Sequence, residues 1–161
     1  MTGETTAPGA EAHDIPAPQD PVLMRILEYW NSKRGGRSMP SRADMDPPLE
    51  LRGLASNIIL YDVLGPAQYR VRLVGQAIVE FSGYDATGRP AAASMSPRAA
   101  EITIEILDSV ASRRAPRFRA GLVHWHRNKS YRKFEACFLP LSRDDNTVDI
   151  ILGGVTFDTV G

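Results

Sequence analysis

The sequence predicts an α+β fold: an antiparallel sheet of about five strands, helices over one face, and a flanking helix toward the N-terminus. Three observations carry this. Two strand-like segments come first, a helical middle follows and three strand-like segments end the chain, an order that segregates helices to one side of an antiparallel sheet. Gln68 to Val74 alternates cleanly, with Tyr69, Val71 and Leu73 on one face and Arg70 and Arg72 on the other. Two helix starts are written as a capping side chain followed by proline, Asp20-Pro21 and Ser96-Pro97.

Residues 1–20 are rich in Ala, Pro, Gly and Thr and lack apolar periodicity, so they read as a disordered tail that cannot bury enough surface to order itself. From Pro21, Val22, Leu23, Ile26, Leu27 and Trp30 recur at helical spacing and form one apolar stripe. A helix this short is marginal alone in water, so the stripe needs a partner, on its own domain or on a second copy. Trp30 to Pro48 then reads as a latch. Gly35-Gly36 ends the helix, Pro40 fixes an extended turn, and Asp46-Pro47 is written as an N-cap with proline in the first turn. Arg42 and Asp46, four residues apart, are read as an ion pair pinning this structural latch.

After a short helix from Pro47 to about Leu54, Asn57 to Leu64 and Gln68 to Val74 read as a hairpin around Gly65-Pro66. A short helix follows, ending at Gly83. Ser96-Pro97 opens the longest central helix, through about Arg113. Its E-I-T-I-E-I run also fits a strand, but the cap, the length and the stop before Pro116 favour helix. Arg117 to His126, Tyr131 to Leu141 and Val148 to Phe157 are the closing strands. The predicted division is a tail (1–20), a flanking helix with its latch loop (21–46), and one domain (47–161).

A chain of 161 residues with 43% hydrophobic content suffices for one good core and is short for two. Its formal charge is zero, and the part after residue 20 is mildly basic, short of the concentrated basic face expected of a nucleic-acid binder. The single cysteine, Cys137, allows no internal disulfide and fits a reducing cytoplasm. No signal-like N-terminus or apolar run long enough to span a bilayer is present, so a cytoplasmic location is expected.

At this point the chain resembles the PAS superfamily, and more narrowly a bacterial family of small, largely stand-alone PAS-like proteins. The residues that carry the resemblance are Trp30, Arg34, Gly36 and P-S-R-A-D-M-D-P from Pro40 to Pro47. Y-R-V-R-L-V-G from Tyr69 to Gly75, G-Y-D-A-T-G from Gly83 to Gly88 and F-L-P-L from Phe138 to Leu141 complete it. The resemblance runs from about residue 21 to the end. It implies a PAS-like sheet of about five strands with a cupped face, and a role in signal sensing or protein interaction. It names no ligand or cofactor, because a fold does not assign a chemistry.

His124-Trp125-His126 is the most distinctive local feature. On a strand, residues two apart share a face, so both imidazoles could meet one ligand. No third histidine, Cys–His or carboxylate spacing joins them, and no metal site is expected. With Arg117 and Arg119 facing solvent, Gly121, Val123 and Trp125 share their side. Phe118, Ala120, Leu122, His124 and His126 then face the helical cup. On that parity the expected cup lining is Phe81, Ile104, Leu107, Phe118, Leu122 and His124. The outer face carries Val123 and Trp125, which with Leu23, Ile26, Leu27 and Trp30 make the expected interface: the first helix covers this face in its own subunit or in a homodimer.

Arg70, Arg72, Arg117 and Arg119, with Tyr131, Trp125 and Phe134 interleaved, leave an RNA- or phosphate-binding face as a minor reading. Catalytic signatures are absent: no G-x-S-x-G, P-loop, G-x-G-x-x-G or H-E-x-x-H. No cyclase or phosphodiesterase signature is present, and the end of the chain after the last strand predicts no output domain in cis. The expected function is a non-enzymatic PAS-like sensory and regulatory protein. It binds a signalling partner protein, with a small ligand in the cup as a control. The alternative is a ligand-free interaction or localisation adaptor.

Overall fold

The computed structural model describes residues 11–129 and 131–158. Its strands are β1 (His13–Ile15), β2 (Ile58–Gly65), β3 (Gln68–Val74), β4 (Arg117–Leu122), β5 (Lys133–Leu141) and β6 (Ile150–Phe157). The helices are α1 (Pro21–Arg34), α2 (Pro47–Glu50), α3 (Gln76–Ser82) and α4 (Pro97–Arg113). All strands join one antiparallel sheet in the order β1-β4-β5-β6-β2-β3. The last strand thus sits between the two hairpins. Its I-I-L-G-G-V run is buried throughout, as a strand covered on both faces requires.

One face of the sheet is closed by α1. Leu23 and Ile26 have no exposure, and the Trp30 indole Nε1 donates to the Pro140 carbonyl at 2.9 Å. Gly154 sets the closeness of the approach: a Cβ there would lie 3.0 Å from Ile26 Cδ1 and 3.1 Å from Leu23 Cδ2. Asp20 caps α1 by accepting from the Val22 N–H at 2.8 Å, and Glu135 of β5 accepts the N–H groups of Gln19 and Asp20. The stripe of α1 therefore packs on the sheet of its own chain. The opposite face is cupped by α3, α4 and the segment between them. Residues 97–113 are helical, with Ala99, Thr103, Ile106, Leu107 and Val110 buried at helical spacing and Ser96 accepting from the Ala99 N–H.

Two expectations need correction. Only residues 1–10 of the expected tail lie outside the described residues; residues 11–20 are described and include a strand. His13–Ile15 pairs with β4 as a sixth strand, in the register Asp14↔Arg119. It is held less by its own composition than by Asp14, whose carboxylate accepts from Arg117 at 2.9 Å and Arg119 at 3.0 Å.

The segment from α1 to α2 is fastened by other residues than the expected pair. No Arg42–Asp46 pair forms. Arg42 donates through Nη1 to the Met45 carbonyl at 2.6 Å, closing a single 3-10 turn at Arg42–Asp44. The Asp46 side chain caps nothing, and its N–H goes to Tyr29 Oη and Glu50 Oε1. The crossing is fastened by Lys33–Glu50 at 2.7 Å, by Arg37–Asp44 at 2.5 Å and by Asp145, whose carboxylate accepts the N–H groups of Ser38 and Met39. Met39, fully buried, anchors the loop in the core.

Candidate functional site: the cup between sheet and helices

The sheet and the α3–α4 layer do not close on each other completely. Between them lies a cavity of about 110 Å³. Its floor is Ile59 and Tyr61 of β2, Phe134, Ala136 and Phe138 of β5, and Gly153 and Val155 of β6. Ile78 of α3 and Thr103 and Ile106 of α4 cover it, with Ala86, Ala91 and Met95 from the segment between these helices. Half-exposed Tyr84 takes the cavity to the surface.

Strand parity settles what β4 contributes. Arg119 lies opposite Ala136 and Arg117 opposite Phe138, both on the cup face, while Phe118 lies opposite Cys137 on the face beneath α1. The expected assignment is therefore inverted. Phe118 and Leu122 are on the α1 side, and the arginines taken as solvent-facing point toward the cup. The cause is pairing with Asp14: a strand added at the edge gives two arginines a carboxylate, so they need not face open water.

His124 does line the cavity, by a different route. The strand ends at Leu122 and the chain turns, so alternation no longer applies and His124 and Trp125 both reach the cup. Trp125 packs edge-on against Phe134, with centroids 4.8 Å apart, and against His124 at 5.0 Å. Val123 is buried with Ile78 and Phe81. Neither Val123 nor Trp125 is an outer-face interface residue, because the turn after β4 folds both inward. Of the others, Phe81 is buried beside the cavity and stacks on Phe157 at 3.7 Å. Leu107 is solid core, and Ile104 lines a separate groove between α4 and the Gly65-Pro66 turn. Leu23, Ile26 and Trp30 are buried within the chain, with Leu27 packed against the same core.

The cup carries two unusual polar groups. The Arg119 side chain is buried; its Nη1 meets Asp14 Oδ1, but its Nε is buried without a hydrogen-bond partner. His124 Nδ1 is likewise buried and unpartnered. Burial first, and the charge of Arg119 second, push the His124 imidazole down to about 4, so it is neutral at pH 7. For Asp14, burial acts upward, but the hydrogen bonds and charges of Arg117 and Arg119 hold its carboxyl below the ordinary value. Cys137 lies on the other face, fully buried, its thiol pushed up to about 12 by that burial.

Gly121, expected only as one of the β4 residues on the side of Arg117 and Arg119, marks a close approach of the chain. Its φ is +133°, and a Cβ there would lie 2.5 Å from the Glu11 carbonyl oxygen and 2.6 Å from Ala12 Cα. The R-F-R-A-G-L pattern holds the signal: a glycine inside a strand marks a place where other backbone comes close. The remaining arginines of the basic reading are paired as well: Arg70 and Arg72 both contact Asp62, and Arg117 contacts Glu105. Among the described residues no group of three or more His, Cys, Asp or Glu is placed to hold a metal ion. None of the described helices is long and apolar enough to cross a membrane.

Comparison with known proteins agrees with this architecture. No curated protein matches the sequence. Among solved structures, the PAS domain of BvgS from Bordetella pertussis superposes with a TM-score of 0.52 at 19% identity, covering 85% of this chain and 88% of that one. An RNA-binding light-oxygen-voltage receptor gives a TM-score of 0.52 at 16% identity, covering 94% of this chain and 39% of the receptor. At such identities the likeness concerns the fold. The PAS domain profile, however, matches residues 19–156, nearly the whole described chain, and the chain belongs to the PAS domain family.

Proposed function

We propose that this protein is a sensory and regulatory module that takes a small ligand into the cup and reports its occupancy to a partner protein, with no chemistry of its own. The observation that carries the reading is the cavity of about 110 Å³, which is apolar over most of its lining and reaches the surface at Tyr84. Small-molecule sites have this character: a concave, apolar, preformed pocket with a few placed polar groups, here Arg119, His124 and Thr103. Cavities of similar size, about 150 Å³, take up single small ligands. The catalytic alternative has little to stand on, since the titratable groups in the cup are one arginine, one neutral histidine and two tyrosines.

The partner would read changes at the cup through β4 and the edge strand β1 paired to it: Arg119 of β4 lines the cavity and meets Asp14 of β1, which is half-exposed. The protein is proposed to work in the cytoplasm.

The test is native mass spectrometry of protein purified gently from its own host. A stoichiometric small molecule that is lost on mild unfolding supports the sensor. Its repeated absence, with no thermal stabilisation by small apolar compounds, makes the protein a ligand-free adaptor. A pull-down from the same host then names the partner, repeated with a chain lacking residues 11–18 to ask whether the β1 segment takes part.

A further inference from the structure

We infer that the ligand of the cup is a small amphipathic monocarboxylate, its acid group held by Arg119 and His124 and its hydrocarbon part lying on the floor of β2, β5 and β6. The inference rests on the reading of the cup as a ligand site and adds the chemical class. No aspartate or glutamate lines the cavity, and Arg119 is its one charged side chain. That side chain is nine-tenths buried, yet only part of its guanidinium is used: Nη1 meets Asp14 while Nε has no partner. Arginine offers donors only, so whatever satisfies Nε must accept.

His124 is the second half of the site. Its Nδ1 is also buried and unpartnered, and the field of Arg119 already reaches the ring. A neutral imidazole has one N–H to donate, so it can serve the second oxygen of a carboxylate without adding charge. Buried polar atoms without partners are rare in folded proteins, and two on residues that line one cavity mark a place that a ligand, entering with a small side-chain shift, completes.

Arg119 already has a competing anion. Asp14 is the carboxylate that now meets Arg119, but it is half-exposed, does not line the cavity, and is shared with Arg117, which also has Glu105. A ligand acid entering the cup reaches Arg119 from the side that Asp14 leaves open. The rest of the ligand meets Ile59, Phe134, Phe138 and Val155, which offer no polar group, and the volume suits a short or branched acid of about five to seven non-hydrogen atoms.

The test uses the full chain and three probes by isothermal titration calorimetry, with methyl NMR to place them: isovalerate, its neutral isostere isovaleramide, and benzene. Isovalerate should bind at least tenfold more tightly than the amide and shift the methyls of Ile59 and Ile78. Arg119→Met should bring the acid down to the level of the amide. Because losing Arg119 also frees Asp14, Asp14→Asn provides a variant that keeps the guanidinium: it should tighten isovalerate several-fold and leave the amide unchanged. Equal affinity for acid and amide, with benzene bound, overturns the acid class and leaves the cup as a site for neutral ligands. Binding of none of the three overturns the cup as a ligand site altogether. An Asp14→Asn chain with unchanged acid affinity overturns the assignment to Arg119.

Discussion

The two faces of one sheet have been finished in opposite ways. Beneath α1 everything is closed: Leu23, Ile26, Leu139 and Leu152 have no exposure, and the indole N–H of Trp30 is paired with Pro140. Gly154 removes the side chain that would hold the helix away. On the other face, α3 and α4 arch over the sheet and leave a hollow with unpaired Arg119 and His124 atoms. The strands are the same, and the residues alternate between the faces, so the difference is not one of strand chemistry. It arises from what is laid on each side: a single amphipathic helix in direct contact, or two helices, α3 and α4, joined by a long segment that leaves part of the sheet between them uncovered by a helix. Tight packing is concentrated on the first face, and the hollow is left to the second.

Substitutions should separate the faces most sharply where packing is tightest. Leu23→Ala and Ile26→Ala should each cost about 2–5 kcal/mol in denaturant unfolding, since the site under α1 cannot collapse. Thr103→Ala and Ile106→Val, bordering the hollow, should cost about 1 kcal/mol or less. Comparable losses on both faces would end the distinction drawn above.

A second, smaller effect should appear at the edge where the faces meet. Gly121→Ala forces a side chain onto the Glu11 and Ala12 backbone at a positive φ, and should cost about 1–3 kcal/mol. Its signature should be local: faster amide exchange at residues 13–15, with α1 unaffected. Loss of protection under α1 instead would mean that β1 and α1 form one cooperative unit.

These elements also show what the sequence could and could not disclose. The helix starts at Asp20 and Ser96, the 68–74 alternation and the glycine stop at Gly83 are local signals, and each lies where expected. The cup lining was legible only at His124. Its assignment turned on the parity of β4, which rested on arginines preferring water, and the carboxylate that reverses that preference comes from Asp14, about a hundred residues away in a segment with no periodicity of its own. The same limit applies to Arg42 and Asp46: their spacing suits an ion pair on a helix, but the chain there makes a 3-10 turn and an extended step.

The hollow face should also carry the pH response. The His124 imidazole lies near 4 in the folded protein against an ordinary 6.5, so between those values the unfolded chain binds the proton more readily. Stability is therefore greatest above pH 6.5 and falls as pH drops toward 4, by about 1–2 kcal/mol after allowing for the partial exposure of the ring. His124→Phe should flatten that part of a stability–pH curve. A slope that survives the substitution would assign it to other groups and leave the cup electrostatically inert.

The smallest effects should fall in the crossing from α1 to β2, which fastens the closed face. Arg42→Ala removes a donor to the Met45 carbonyl from a half-buried turn and should cost about 1 kcal/mol. Asp46→Asn should change stability by less than about 0.5 kcal/mol, because its carboxylate caps no helix and meets no arginine. In an Arg42–Asp46 ion pair the two substitutions would be coupled, so the double mutant would cost no more than either alone; in the geometry described here their effects add. Additivity would leave the crossing as independent backbone fastenings, in which Met39 and the Asp145 carboxylate hold the loop while its surface charges stay replaceable.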